Sequence, residues 1–184
     1  MTKAELRSRI LASRARMTPS DLLAAADALF AQLLLLLHRV PHEALTAYRP
    51  IGSEPGGPSL PERLAVAFPT STLLLPVLRP DLDLDWSVYS GSMTRTERGL
   101  YEPTGPRLGV DAVTTAQVII VPALAVDRDG HRLGRGGGSY DRALTRARPG
   151  ATIVALLHDG ELVERVPHEP HDRRITATVV PGLR

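Results

Sequence analysis

The chain has 184 residues, with 22 lysines and arginines, 20 acidic residues and no cysteine. That length suits one domain with a sizeable core, and the missing thiols exclude a disulfide framework, a cysteine nucleophile and a cysteine zinc site. The net charge of +2 is small but uneven: residues 1–16 carry five basic side chains against one acid and residues 127–150 six against three, a pattern of focused anion sites more than of a broad nucleic-acid surface.

Residues 3–16 read as a basic amphipathic helix in which Lys3 and Arg7, spaced i,i+4, share a face with Arg14 further along. A solvated face is the ordinary reading of such spacing, yet Lys3 is the chain's only lysine, the other 21 basic residues being arginine. Thr18-Pro19-Ser20-Asp21 combines a capping threonine, proline at the first helical position and an acid in the first turn, so a second helix runs from there to about His38. Its consecutive leucines, Leu33–Leu37, are core residues. The apolar stretch Leu29–Leu37 comes too late for a secretory signal and is too short to span a membrane.

Glu43–Tyr48 makes a short strand ending at Arg49-Pro50, and the Gly- and Pro-rich residues 51–60 form a loop holding Glu54. Ser59 and Glu62 have capping-box spacing and open a helix to about Phe68. Thr72–Leu75 is the next strand, stopped by Pro76. Asp81, Asp83 and Asp85 alternate along the outward face of a strand, because the glycine and distal glutamate of a calcium loop are missing. Trp86–Tyr89 continues that strand, and residues 92–116 read as irregular.

Val118–Val121 is a buried central strand. After a turn come Arg132, the glycines Gly134, Gly136, Gly137 and Gly138, then Tyr140 and Asp141 at the start of a helix over Tyr140–Arg146. Thr152–Leu157 is another strand, Glu161–Val166 a short helical turn, and residues 167–172 lead into a last strand at Ile175–Val180. His168 and His171 invite a metal reading, but the further ligands of a zinc site are not evident. Alternating strands and helices give an α/β fold: one domain over residues 1–184, a three-layer α/β/α sandwich on a largely parallel or mixed central sheet.

A glycine-rich segment between a buried strand and a helix suits phosphate binding, because backbone without Cβ atoms can approach an anion and present successive N–H groups. A flexible surface loop is the alternative. Arg132 and Arg135 bracket the first glycine with permanent charge, and Asp141 offers a hard oxygen to the Mg²⁺ that accompanies ATP.

The order RLGRGGGSYDR, with VPALAVDRDG before it, resembles the signature of the 5-formyltetrahydrofolate cyclo-ligase family, which usually reads R-L-G-x-G-x-G-aromatic-Y-D. The resemblance implies a ligase that binds ATP as co-substrate, uses Mg²⁺ and converts 5-formyltetrahydrofolate to 5,10-methenyltetrahydrofolate through a phosphorylated formyl group. It places Lys3, Arg132 and Arg135 at the reacting phosphate, and adds Arg7, Leu133, Gly134, Gly136, Gly137, Gly138, Ser139 and Tyr140 around ATP. Substrate contacts fall to Arg7, Arg49, Glu54, Arg135 and the stretch Gly136–Ser139; Asp141 and Asp172 become the Mg²⁺ ligands. Glu102-Pro103 matches a structural landmark. Ser139 departs from the pattern, standing where the family has an aromatic residue. A cytoplasmic protein, monomeric or weakly dimeric and without nucleic-acid or membrane partners, is expected.

Three other readings are weighed. A divergent family member could take another formyl substrate or bind nucleotide without catalysis. A Rossmann oxidoreductase finds Gly134-x-Gly136 and Asp159, but its strand should turn directly into the glycines, and a Walker loop lacks its Lys-Ser/Thr. An RNA-binding protein would need more than seven aromatic residues for a stacking platform.

Overall fold

The computed structural model describes residues 1–169 and 173–182. Two helices lead. Helix α1 (Lys3–Arg14) and helix α2 (Pro19–Leu37) both begin on capping boxes, Thr2 with Glu5 and Thr18 with Asp21, each satisfying backbone N–H groups that have no partner inside the helix. The remaining helices are α3 (Leu60–Ala67) and α4 (Ser139–Thr145).

Six strands form the main sheet: β1 (Ala44–Thr46), β2 (Thr72–Leu78), β3 (Leu84–Val88), β6 (Val118–Pro122), β9 (Thr152–Leu156) and β11 (Ala177–Val179), in the order β11-β9-β6-β1-β2-β3. All neighbours are parallel except the antiparallel pair β2–β3. Residues alternate between its faces. Val118 and Ile120 join Leu29, Leu33 and Leu37 of α2 and Leu60 and Leu64 of α3, while Ile119 and Val121 join Trp86 and the α4 residues Ala143 and Leu144. The α/β sandwich expected from the sequence is therefore present. Helix α2 is long and apolar enough to cross a membrane, so its length does not exclude a span as the shorter leucine run suggested. Its inward stripe is nevertheless closed against the sheet, but of the leucine run expected in the core only Leu33 and Leu37 are fully buried and Leu35, on the opposite helix face, is exposed.

A smaller sheet, in the order β10-β7-β8, is built from β7 (Ala125–Asp127), β8 (Arg132–Leu133) and β10 (Leu162–Val163). Helix α1 lies on it through Leu6 and Ile10, which pack with Leu124, Ala125, Leu133 and Val166. One turn further on, Arg14 is buried and its guanidinium grips Glu161 with two bonds, Nε–Oε1 at 2.6 Å and Nη2–Oε2 at 2.8 Å, while also donating to the Ala123 carbonyl.

Five local expectations are corrected. Strand β2 runs through Pro76, opposite Trp86, because β1 pairs only as far as Leu74 and the missing N–H disappoints no partner on that side. Asp83 and Asp85 are buried, not solvated: Asp83 pairs with Arg146, and Asp85 accepts the backbone N–H groups of Trp86 and Gly109. Residues 92–116 contain a hairpin, β4 (Met93–Arg95) with β5 (Tyr101–Pro103), and a 3₁₀ turn at Val110–Thr115. The 161–166 segment, expected as a helical turn, holds the short strand β10, drawn out by pairing with β7. Ser59 makes no side-chain cap on α3, since its backbone is not extended (φ −92°, ψ 11°) and Glu62 instead faces Arg49. Glu102 holds the Leu78 N–H at 2.9 Å, a structural contact.

Replacing Glu161 by Leu leaves the Arg14 charge buried without a counter-ion and should cost about 3–5 kcal/mol in urea unfolding. The double variant Arg14→Met, Glu161→Leu should recover most of that loss, measured on the same curves.

Candidate functional site

The main sheet changes direction of winding between β1 and β6, and loops leaving their carboxyl ends diverge there, which is where open α/β sheets place ligands. A cavity of about 280 Å³ opens at that point. Residues following β1 (Tyr48, Arg49, Glu54), the last residue of β6 with the two after it (Pro122–Leu124) and the glycine loop supply its walls. The end of β2 closes another side with Pro76 and Leu78.

The glycine loop does not follow β6 directly. The β7–β8 hairpin intervenes, which removes the dinucleotide-fold reading, and β8 ends at Leu133 just before the glycines. Gly136 has φ +109° and Gly138 φ +69°, values an L side chain rarely adopts, so the loop needs glycine at both positions. Among the described residues, no backbone N–H from Gly134 to Gly138 has a protein acceptor. Five consecutive donors are thus left open beside the cavity.

Most residues singled out in the sequence meet here. Arg49, Glu54, Arg132, Gly134–Tyr140 and Asp141 line the cavity, Ser139 among them. They are already paired with one another. Arg132 binds the Asp141 carboxylate and donates to the Pro122 carbonyl at 3.0 Å. Arg135 reaches across the opening to Glu54 at 3.0 Å, and the other Glu54 oxygen accepts the Ile51 N–H. Arg49 stacks over Tyr101, 4.2 Å from the ring centre.

Arg7 lies behind the loop, donating through Nε to the Gly134 carbonyl at 2.9 Å, and Lys3 lies one turn before it on α1, half-buried. Leu133 is buried in the packing beneath α1 and away from the cavity wall. Asp172 and His171 fall outside the described residues. Among residues the sequence did not single out, Tyr48, Leu84, Leu100 and Tyr101 also form walls. Only Tyr48, directly after a strand, carried any signal.

The Tyr140 hydroxyl is buried and has no hydrogen-bond partner among the described residues. Burial, and then the Glu54 charge, hold its acidity far below that of a free phenol, so it stays a neutral donor. His158 ties the end of β9 to the β1 loop by its Nε2 contact with the Ser53 carbonyl, and its own N–H rests on Glu161.

His168 meets His131 and Asp127, whose ligand atoms lie within 4.8 Å of one another. Asp127 there is a tie between segments: its oxygens accept N–H groups from Asp129, His131 and Val166 as well as the His131 ring. Burial raises the Asp127 pKa, but these bonds outweigh it and hold the carboxyl below its ordinary range. The His131 and His168 rings stack at 3.4 Å and 5°, so their in-plane lone pairs run side by side and do not converge on one ion.

The 5-formyltetrahydrofolate cyclo-ligase family model matches residues 1–181. A relative called 5-formyltetrahydrofolate cyclo-ligase from Mycolicibacterium smegmatis is 39% identical, over 98% of this chain and 94% of its own. One of the same name from Escherichia coli is 39% identical over 45% of this chain and 46% of its own. Two solved structures share the fold: a 5,10-methenyltetrahydrofolate synthetase from Aquifex aeolicus, with TM-score 0.79 and 23% identity over 100% of this chain and 91% of that one, and another from Mycoplasma pneumoniae, with TM-score 0.76 and 16% identity over 97% and 98%.

Gly136→Ala should lower stability by about 1–3 kcal/mol through backbone strain alone, because nothing lies closer than 3.7 Å to the added carbon. Gly137→Ala, at an ordinary φ, should change it by less than roughly 0.5 kcal/mol. Urea titrations of both variants separate the two.

Proposed function

Because the chain belongs to the 5-formyltetrahydrofolate cyclo-ligase family, we propose that it is an ATP-dependent ligase closing the imidazoline ring of 5,10-methenyltetrahydrofolate from 5-formyltetrahydrofolate. The observation that carries the reading is the row of open N–H groups at Gly134–Gly138 bordering the cavity. A formyl oxygen on nitrogen is a poor leaving group. Phosphoryl transfer from ATP converts it to a phosphate ester; the neighbouring N10 then attacks the formyl carbon, and inorganic phosphate departs with the former formyl oxygen.

Phosphoryl transfer asks a protein mainly for position and charge neutralisation. The glycine N–H groups take the phosphate oxygens, with Lys3, Arg132 and Arg135 supplying positive charge. Arg49, Glu54 and the Tyr140 hydroxyl face the folate side. Binding exchanges partners: phosphate replaces Glu54 on Arg135, and the folate takes up the freed carboxylate. No residue becomes covalently modified, in keeping with a chain that has no cysteine.

The site also fits Mg²⁺. Asp141 is a half-exposed carboxylate at the cavity edge already neutralised by a cation, the Arg132 guanidinium. One or two carboxylates beside nucleotide phosphates suit this ion, and Asp141 and Asp172 would hold it. There it would draw charge from the phosphate oxygens.

The deciding experiment incubates the purified protein with 5-formyltetrahydrofolate, MgATP and buffer and follows methenyltetrahydrofolate by its absorbance. Product that requires both ATP and Mg²⁺ supports the assignment; MgATP hydrolysis without cyclisation overturns it. Asp141→Ala should weaken MgATP binding about tenfold or more, and it should also lower the unfolding midpoint, because it takes the counter-ion from the buried Arg132 guanidinium. Equal nucleotide affinity in calorimetry would remove Asp141 from the metal site.

Ser139 favours a second arrangement of the same site, a wider folate pocket. Ser139→Tyr should tighten 5-formyltetrahydrofolate several-fold, since an aromatic contact contributes about 0.5–1.5 kcal/mol beyond burial. The KM for ATP should stay where it was. Loss of both affinities together would show that the serine packs the loop and not the substrate.

A further inference from the structure

The acid-rich turn before β3 and the arginines Arg142 and Arg146 at α4 stand outside the proposed chemistry, yet the turn and Arg142 meet directly behind the glycine loop. Arg142 Nη2 donates to the Leu82 carbonyl at 2.8 Å and to the Gly137 carbonyl at 3.0 Å. Four residues along the same helix face, Arg146 donates to Asp83 at 3.0 Å and through a second, shorter bond. Helix α4 needs such anchors. It has seven residues and no side-chain N-cap, too little to persist by its own hydrogen bonds.

The turn is built to receive them. Leu82 has φ +65°, the one non-glycine residue in that region among those described. Two bonds hold it there, Leu82 N–H to the Arg79 carbonyl and Arg79 N–H to the Asp83 carbonyl, both 3.0 Å. Its own carbonyl is then free to face Arg142.

The contact sets the direction of a peptide plane. No peptide bond in the described chain is cis, and in a trans peptide the carbonyl and the following N–H point opposite ways. With the Gly137 carbonyl drawn to Arg142, the Gly138 N–H points away from that guanidinium. Gly137 and Gly138 line the cavity and Arg142 does not. The approach is close: a Cβ on Gly138 would lie 3.1 Å from Arg142 Nη1. Arg7 does the equivalent at the other end of the loop, where its hold on the Gly134 carbonyl turns the Arg135 N–H outward.

We infer that Arg142 is a positioning residue for the nucleotide: by clamping the Gly137 carbonyl to the 79–83 turn it aims the Gly138 N–H into the cavity, where a phosphate oxygen of ATP accepts it. This rests on the cyclo-ligase reading and deepens it. The alternating aspartates thereby gain a purpose, since Asp83 anchors the helix that carries the clamp.

The test compares wild type, Arg142→Ala and Arg142→Lys by steady-state kinetics, by MgATP calorimetry and by thermal unfolding. Arg142→Ala should weaken MgATP binding and raise the KM for ATP by about tenfold, the scale of a lost charge-assisted bond, with the folate KM within about twofold of wild type. Millimolar methylguanidinium should restore MgATP affinity to that variant and leave the wild type unaffected. Arg142→Lys, a point charge without the fork, should recover only part. A lower unfolding temperature with unchanged MgATP affinity would mean a merely structural arginine, and equal weakening of both substrates a collapsed loop; either result overturns the inference. Should Arg142→Ala fail to fold, the wild-type Gly138 amide resonance decides: it must shift when MgATP is added, and an unmoved signal refutes the role. MgATP binding that depends on Arg142 without methenyl product would refute the cyclo-ligase reading alone. Product formation with equal MgATP affinity in all three proteins would refute the positioning role alone.

Discussion

One buried ion pair holds the site's two halves together. Arg14 and Glu161 are 147 residues apart in sequence, and their two-pronged contact fastens α1 to the strand ends around which the cavity forms. A guanidinium suits this place because its planar fork meets both carboxylate oxygens and still reaches the Ala123 carbonyl. Glu161 spends its second oxygen on the His158 N–H as well, and His158 in turn touches the loop that carries Glu54. Buried charge of this kind contributes little net stability; its effect is to specify one placement of the helix. Lys3 and Arg7 ride on that placement.

The charges of the site are balanced before any substrate arrives. Arg132 lies on Asp141 and Arg135 on Glu54, so both arginines proposed for the phosphates are paired with an acid proposed for the metal or the folate. Such pairing keeps several like charges tolerable in one concave space, and it makes binding an exchange of partners with little net desolvation of bare charge. The glycine N–H groups differ. They are fixed dipoles without acceptors among the described residues, held in direction by carbonyl contacts to Arg7 and Arg142. Preorganised donors of this sort require no rearrangement during reaction.

The remainder of the fold serves to bring these segments to one edge. Strands β1 and β6 lie side by side at the centre of the sheet, so the loops after Thr46 and Pro122 open onto the same cavity. Helix α2 stands apart from the cavity; its buried leucines Leu29, Leu33 and Leu37 cover one sheet face, and the shorter α3 completes that layer. The family relation extends over nearly the whole chain, and the cavity walls come from α1, the loop after β1, the end of β2 and the glycine loop.

Much was legible in the amino-acid order because its cause is local. Thr18, Pro19 and Asp21 start a helix by bonds spanning three residues, the apolar runs at 118–121 and 152–157 become strands through their own burial, and the glycine-rich signature names the family without any tertiary knowledge. What the order could not settle depends on partners far along the chain. Asp83 and Asp85 look like a solvated strand face until Arg146 and Gly109 arrive to satisfy them. Pro76 reads as a stop until β1 proves too short to need its N–H. Residues 161–166 lack strand periodicity and gain strand form only from β7. Arg7 stands on a basic helix face and Arg142 ends the glycine signature, yet only folding turns both toward the carbonyls of the same loop, since hydrogen-bond partners separated by 127 residues in one case leave no periodic trace in the sequence.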